Sequence, residues 1–313
     1  MFIDRLVKQI KDKKSNVVVG LDPNLELMPE AFKNKFFSEI GKNLEGAGEI
    51  ILSFNKIIID HLWDIVPAVK PQIAFYEQYG LQGMKAYIDT CKYAREKGLL
   101  VIGDVKRGDI GTTSKAYSNA HLGAVNIGFK NFEAFPADAI TTNPYLGDDC
   151  LKEFMDDIEY RDKGMFVLIK TSNPTSGQLQ DLDVNGSKIY EIVARMVYQW
   201  SLKTIGNCGY SSVGGVVAAT HPIQAMQLRK MMPKAYFLVP GYGAQGGSAK
   251  DIVSCFNEDG FGAVINSSRD IIYAYKKEGG NYDENHIGQS ARRVTQSMQK
   301  SINEAIDNRG KQD

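Results

Sequence analysis

Cysteine is scarce in this chain. Four residues, Cys91, Cys150, Cys208 and Cys255, are spread through 313 positions, and none forms a CxxC pair. A disulfide framework or a structural zinc site needs paired or closely spaced thiols, so reduced cysteines in a cytoplasmic protein are the expectation. Histidine is equally sparse. His61, His121, His221 and His286 stand singly, with no HxxxH pair and no nucleophile–base arrangement of the Ser/His/Asp type, which leaves them structural or surface roles and excludes a metal cluster. Excess charge of either sign is missing too: 37 basic residues balance 37 acidic ones. No global field therefore draws the chain to nucleic acid or anionic lipid, and any anion it binds must be held by a local site. Long uncharged apolar runs are absent. Met1 to Lys14 mixes Phe2, Ile3, Leu6, Val7 and Ile10 with charges at helical spacing, unlike a signal peptide or a membrane anchor.

What is present is a repeating pattern. Short β-branched runs, each followed by turn residues and a longer amphipathic stretch, predict strands at Asn16–Leu21, Ile65–Lys70, Leu99–Val105, Ala139–Thr142, Met165–Lys170, Ser212–Ala218, Ala235–Val239 and Ala263–Asn266. The runs are nearly continuously apolar, as in parallel strands buried on both faces. Helical periodicity marks Tyr76–Lys97, Leu146–Tyr160, Lys188–Lys203, His221–Met231 and Ser248–Asn257, and a closing helix is expected over Asn285–Asn308. Eight alternations favour a single (β/α)8 barrel over a doubly wound sheet, as does Gly20-Leu-Asp22-Pro where a dinucleotide fold would place GxGxxG. No linker, repeat or low-complexity segment divides residues 1–313, so one domain is expected. Met28–Glu45 and Thr171–Gly186 read as long excursions between strand and helix.

In a barrel of this kind, function belongs to the carboxyl ends of the strands and the loops beyond them. Charges collect there: Asp22 after the first strand, Lys70 at the end of the second, Asp104 and Lys106 at the third. Asp104 and Lys106 are two apart in an extended run and point to the same side, while Lys70 enters from the adjacent strand. Asp109 lies past the strand end, able to approach from a loop or to belong to a neighbouring subunit's site. Together they fit an alternating Lys–Asp–Lys–Asp array in which each charge favours its partner's ionised form. Fixed negative charge beside a mobile proton suits loss of a substrate carboxylate as CO2 and protonation of the carbanion left behind. A barrel-mouth salt-bridge network would show the same residues.

The glycine-rich loop Gly241–Gly247 opens a helix at Ser248 and offers backbone N–H groups, that of Gly246 among them, to an anion. Arg269, after the last strand, can add a bidentate phosphate contact. Ser172 and Asn173 follow the fifth strand, where they fit either the edge of a heterocycle or a capped Ser-Asn-Pro turn. Asp22 fits a ribose hydroxyl or an Asp-Pro turn.

Six collinear motifs, Gly20-Leu-Asp22-Pro, Val69–Glu77, Asp104–Thr113, Lys170–Pro174, Val239–Gly247 and Ile265–Arg269, resemble the orotidine 5′-phosphate decarboxylase family, particularly its longer-chain bacterial and protozoan type, from about residue 15 to residue 275. The resemblance implies a homodimeric barrel that turns orotidine 5′-monophosphate into uridine 5′-monophosphate without metal or organic cofactor. It implies that Asp22 and Lys70 contact the ribose, that Asp104 sits against the substrate carboxylate, and that Lys106 delivers a proton to C6. Asp109 and Thr113 would enter the partner's site, and Ser172 would read the pyrimidine edge. Gln245 would join the phosphate grip and fold over the base, and Arg269 would bind the phosphate directly. One departure is Ser268, where relatives commonly have glycine; its backbone N–H is retained, so phosphate binding should survive with a different loop path.

Two rivals share parts of this pattern. Sugar-phosphate decarboxylases of the same suprafamily have the D-x-K-x-x-D spacing but an acidic, Mg2+-binding residue at strand two, where Lys70 would repel a cation. A barrel that only binds nucleotides needs the phosphate loops but not two lysines interleaved with two aspartates.

Overall fold

The computed structural model describes residues 1–243, 246–279 and 282–309. Eight parallel strands form a closed barrel: β1 (Val17–Leu21), β2 (Ala68–Pro71), β3 (Leu100–Arg107), β4 (Ala139–Thr142), β5 (Gly164–Lys170), β6 (Ser211–Val217), β7 (Ala235–Val239) and β8 (Ala263–Ser267). Each pairs with its neighbours in chain order, and β8 pairs with β1 to close the ring. This is the (β/α)8 architecture expected from the sequence. Around it lie α1 (Phe2–Lys13), α2 (Glu30–Ile40), α3 (Leu44–Leu62), α4 (Gly80–Glu96), α5 (Gly111–His121), α6 (Asp149–Tyr160), α7 (Ile189–Ser201), α8 (Pro222–Met231) and α9 (Glu284–Asp307).

Strand alternation divides the core into two layers. Outward residues such as Val17, Val19, Val69, Val101, Ile140 and Phe237 pack with helix residues including Ile50, Phe54, Ile58, Phe154 and Leu228. Inward residues Val18, Ala68, Leu100, Ile102, Ala139, Phe166 and Val264 fill the lower lumen. The amphipathic stretch at the amino terminus closes that end. Phe2, Ile3, Leu6, Val7 and Ile10 of α1 pack into the same cluster, each burial stabilising by roughly 1.5–3 kcal/mol. Phe2 meets Phe166 edge-on at 6.3 Å, in space that Gly164 leaves open: a Cβ there would lie 2.2 Å from the Phe2 ring.

With the lower lumen plugged, the next inward positions up each strand face the open, carboxyl end. These are Gly20, Lys70, Asp104, Thr141, Leu168, Val216, Leu238 and Asn266, two residues beyond Val18, Ala68, Ile102, Ala139, Phe166, Gly214, Tyr236 and Val264. The two-residue period thus explains why polar groups gather there on apolar strands.

Several boundaries differ from the expected ones for local reasons. β2 starts at Ala68 because Pro67 has no N–H and the N–H groups of Ile65 and Val66 close the turn on the Leu62 carbonyl. The helical run from Tyr76 breaks at Gly80, φ +58°, leaving a short helix Ala74–Glu77 before α4. Gly147, φ +96°, delays α6 to Asp149. Met28–Glu45 contains α2 and the start of α3. Ser248–Asn257 is one short helix, Ala249–Ile252, followed by a 3-10 turn over Val253–Cys255. Thr171–Gly186 carries the short helix Gly177–Gln180 and one strand of a small hairpin, Asp183–Val184 with Ser187–Lys188. An antiparallel hairpin, Val125–Ile127 with Lys130–Phe132, was not anticipated; its short strands are exposed and lack a buried face. No helix among the described residues is long and apolar enough to cross a membrane.

Candidate active site

Asp104 is the hub of the upper lumen. Its Oδ2 accepts hydrogen bonds from Lys70 Nζ at 2.6 Å and Gln72 Nε2 at 2.9 Å. Its Oδ1 accepts from Lys106 Nζ at 2.6 Å and the Thr141 hydroxyl at 2.8 Å. Both oxygens are fully engaged, two of the donors being cations. Burial works against ionisation of this carboxyl, but Lys70 and Lys106 outweigh it and hold Asp104 well below the usual carboxylate range. Lys70 is buried, which opposes its charge, yet Asp104 and Asp22 keep its ammonium more firmly protonated than normal.

Lys106 reaches Asp104 by a less regular path than an extended strand. The pairing of β3 with β4 shifts register between Gly103 and Arg107, and Lys106 adopts the left-handed φ of +48°. For a non-glycine residue this conformation costs roughly 1–2 kcal/mol. Thr141 offsets part of it, since its Oγ1 accepts the Lys106 N–H at 3.0 Å while donating to Asp104. The Lys106 side chain remains 45% exposed, against 6% for Lys70, so its ammonium is the more open of the two to a ligand.

Asp22 stands at the end of β1 with Oδ1 buried and unpartnered. Burial raises its pKa; the Lys70 charge and a hydrogen bond from Ser268 act the other way. Such an orphaned acceptor is expensive unless a ligand donor satisfies it. The Ser268 side chain fills the space above Gly20, where a Cβ would lie 1.8 Å from its Oγ. Glycine at 20 therefore accompanies serine at 268.

A cavity of about 700 Å3 opens over this array, a volume in the range of small-ligand sites. Lys70, Asp104, Lys106 and Thr141 form one end, Leu168, Val216, Leu238 and Pro240 an apolar wall, and Ser172 the edge beyond β5. Charge next to an apolar wall is an environment in which electrostatic interactions are little screened.

The structure thus brings together Lys70, Asp104 and Lys106, with Asp22 and Ser172 beside them, but it does not bring Asp109 into the array. The Asp109 carboxylate accepts the N–H of the adjacent Ile110 at 2.8 Å and pairs with no cation among the described residues. Thr113 is exposed on the first turn of α5. Gly246, φ +94°, and Arg269, heading the short helix Arg269–Ile272, are exposed beyond β7 and β8. Gln245 lies outside the described residues.

Gln72 and Thr141 went unnoticed in the sequence, though a signal existed for each. Gln72 lies two residues past Lys70, and Thr141 two past the inward-facing Ala139 at a strand end.

A model of the orotidine 5′-phosphate decarboxylase / HUMPS family matches residues 15–279. Proteins named orotidine 5′-phosphate decarboxylase from Caldicellulosiruptor bescii and Clostridium perfringens are 42% and 41% identical to the chain. The alignments cover 97% and 98% of it and 99% of each relative. Among solved structures, Leishmania donovani OMP decarboxylase superposes with a TM-score of 0.73 at 30% identity, covering 98% of this chain and 99% of that one. With its charged array at the barrel mouth and a family match spanning every barrel strand, the chain belongs to the orotidine 5′-phosphate decarboxylase / HUMPS family.

Proposed function

We propose that this chain decarboxylates orotidine 5′-monophosphate to uridine 5′-monophosphate and CO2, the last step in making UMP from orotate. The observation that carries the reading is the Lys70–Asp104–Lys106 arrangement beside an apolar cavity, within a family match that covers the whole barrel. The phosphate is gripped by Gln245, the Gly246 N–H and Arg269. Asp22 and Lys70 hold the ribose, and the hydroxyl of Ser172 faces the pyrimidine edge. Remote phosphate binding draws the loop after β7 over the base and orients it.

In this pose the substrate carboxylate lies against Asp104, whose negative charge is fixed by four hydrogen-bond donors. The C6–carboxyl bond breaks heterolytically, CO2 departs, and the electron pair stays on C6. Lys106 stabilises that developing charge in a poorly screened site and then transfers a proton from Nζ to C6; neutral Lys106 regains its proton from solvent. Neither metal nor organic cofactor takes part. Lys70 sits where a metal-dependent sugar-phosphate decarboxylase would need an acidic ligand, so that second reading is disfavoured.

The active unit is a homodimer, with Asp109 and Thr113 of one copy completing the other's site, and the enzyme works in the cytoplasm. The exposure of Thr113, the half-buried position of Asp109 and the absence of a cation partner for Asp109 among the described residues support the shared site.

Lys106→Ala should abolish the fall in orotate absorbance on mixing with orotidine 5′-monophosphate while UMP still binds. Wild-type turnover should be indifferent to EDTA. Near-native turnover by Lys106→Ala would sink the proton-donor role, and EDTA-sensitive turnover would sink the metal-free chemistry.

A further inference from the structure

The segment that carries Ser172 is held by side chains that the reaction itself does not use. Lys170 ends β5 fully buried. Its ammonium stays out of the Asp104 array, reaching Asp181 Oδ1 at 2.7 Å and lying 5.6 Å from the centre of the Tyr190 ring. That ion pair fixes where the excursion beyond β5 returns to the barrel. Gln180, the residue before Asp181, turns to the other side. Its Oε1 accepts the Thr171 N–H at 3.0 Å and its Nε2 donates to Thr171 Oγ1 at 2.8 Å. The Thr171 hydroxyl in turn donates to Asn173 Oδ1 at 2.7 Å.

Ser172 is therefore bracketed. Both flanking residues are tied into one hydrogen-bonded chain that begins at Gln180, and Ser172 and Gln180 line the same cavity as Lys106. The Ser172 hydroxyl has no protein partner among the described residues, so its hydrogen-bonding capacity is left for a ligand. A side-chain hydroxyl selects a ligand edge only when its backbone is held to a fraction of an ångström. Gln180 supplies two of the contacts that hold it, and the other strand-end neighbour, Lys170, is anchored one residue further along the same short helix's exit.

We infer that Gln180 is a positioning residue for base recognition: through Thr171 it aims the Ser172 hydroxyl at the edge of a bound pyrimidine. The inference rests on the reading of Ser172 given above. Gln180 touches no substrate atom in it. Its effect is confined to ligands that possess a base, and it disappears when the Ser172 hydroxyl is absent.

Calorimetric titration of the full chain with UMP and with ribose 5-phosphate, which has the sugar and phosphate but no base, tests this. Gln180→Ala should weaken UMP binding about tenfold, the factor expected for one hydrogen bond of ordinary strength, and leave ribose 5-phosphate binding unchanged. Gln180→Glu keeps the acceptor for the Thr171 N–H and should lose less; it also carries the comparison if the alanine variant folds poorly. In a Ser172→Ala background, Gln180→Ala should cost nothing further for UMP. Equal weakening of both ligands, or a full additional loss on top of Ser172→Ala, would overturn the positioning role. If Ser172→Ala alone leaves UMP affinity intact, the base-reading role of Ser172 falls and this inference with it. Failure of the wild-type chain to bind UMP at all would instead overturn the nucleotide reading of the whole site.

Discussion

The Thr141 hydroxyl lies 2.8 Å from Asp104 Oδ1, to which it donates, while accepting the N–H of Lys106 at 3.0 Å. One β4 side chain thus supports both the carboxylate and the strained backbone of the lysine beside it. Thr141→Ala removes one of the two donors to Asp104 Oδ1 and leaves the half-buried Lys106 N–H unpaired, at a cost of roughly 1–3 kcal/mol. We expect a lower melting temperature and a kcat reduced by about tenfold or more, since each 1.4 kcal/mol of lost transition-state stabilisation is about a factor of ten. Thr141→Ser should recover most of both. Steady-state kinetics with a thermal melt decide it; an alanine variant with native kcat would remove Thr141 from the site.

His121 makes stability depend on pH between the neutral and acid ranges. The ring is buried at the end of α5 and stacks on Phe135 at 4.9 Å, with Nδ1 unpartnered. Burial, helped by the charge of Arg107, pushes its pKa down from 6.5 to about 4. The folded state therefore binds this proton less readily than the unfolded chain. Its contribution to stability is complete above pH 6.5 and is lost as pH falls toward 4, by roughly 3 kcal/mol in all. His121→Phe should remove that slope. Urea unfolding of both proteins at pH 7 and pH 5 provides the comparison, and parallel losses in the two would contradict the assignment.

The barrel was legible because its physical basis is periodic. Buried parallel strands read as apolar runs, and Lys70 and Asp104 interrupt those runs at the ends where a barrel keeps its chemistry. Position within a strand also determines which way a side chain faces, so the Lys–Asp–Lys grouping could be read from spacing alone. The left-handed turn at Lys106 could not. It arises from a register shift between β3 and β4, a relation between segments 35 residues apart with no local marker at Lys106 itself. Gln72 and Thr141 were hidden differently, since an amide and a hydroxyl at strand ends are common in any turn. Asp109 stays outside the grouping: one copy of the chain leaves it in the loop between β3 and α5, where its carboxylate accepts the Ile110 N–H.

Arg229 is a buried cation with no carboxylate partner among the described residues. Its guanidinium donates to the carbonyls of Cys255, Gly262, Met232 and Ala235 and lies 3.8 Å from the centre of the Phe237 ring. A planar fork meets four carbonyls where an ammonium cannot. Arg229→Lys should therefore destabilise by roughly 2–4 kcal/mol through carbonyls left unpaired, while KM for the nucleotide is unchanged because the residue lies on the outer layer behind β7. Chemical denaturation and kinetics on the same sample separate the two effects; native stability would mean that the four carbonyls find other donors.

The sharing of sites between two copies can be tested by mixing inactive proteins. If sites are shared as proposed, Lys106→Ala removes the proton donor from a copy's own site, whereas Asp109→Ala removes a carboxylate from the partner's site. Each homodimer should be inactive, or nearly so. In a mixed dimer, the copy with Asp109→Ala keeps its own Lys106 and receives an intact Asp109 from its partner, so one of its two sites is complete. Random exchange of equal amounts makes about half of all dimers mixed, by the statistics of closed twofold assembly, and restores about a quarter of wild-type activity. The gain should appear only after the subunits have been allowed to exchange, for example through dilute urea and back. If Asp109 acts within its own chain, neither site of the mixed dimer holds both residues, and activity stays at background however long the proteins are mixed.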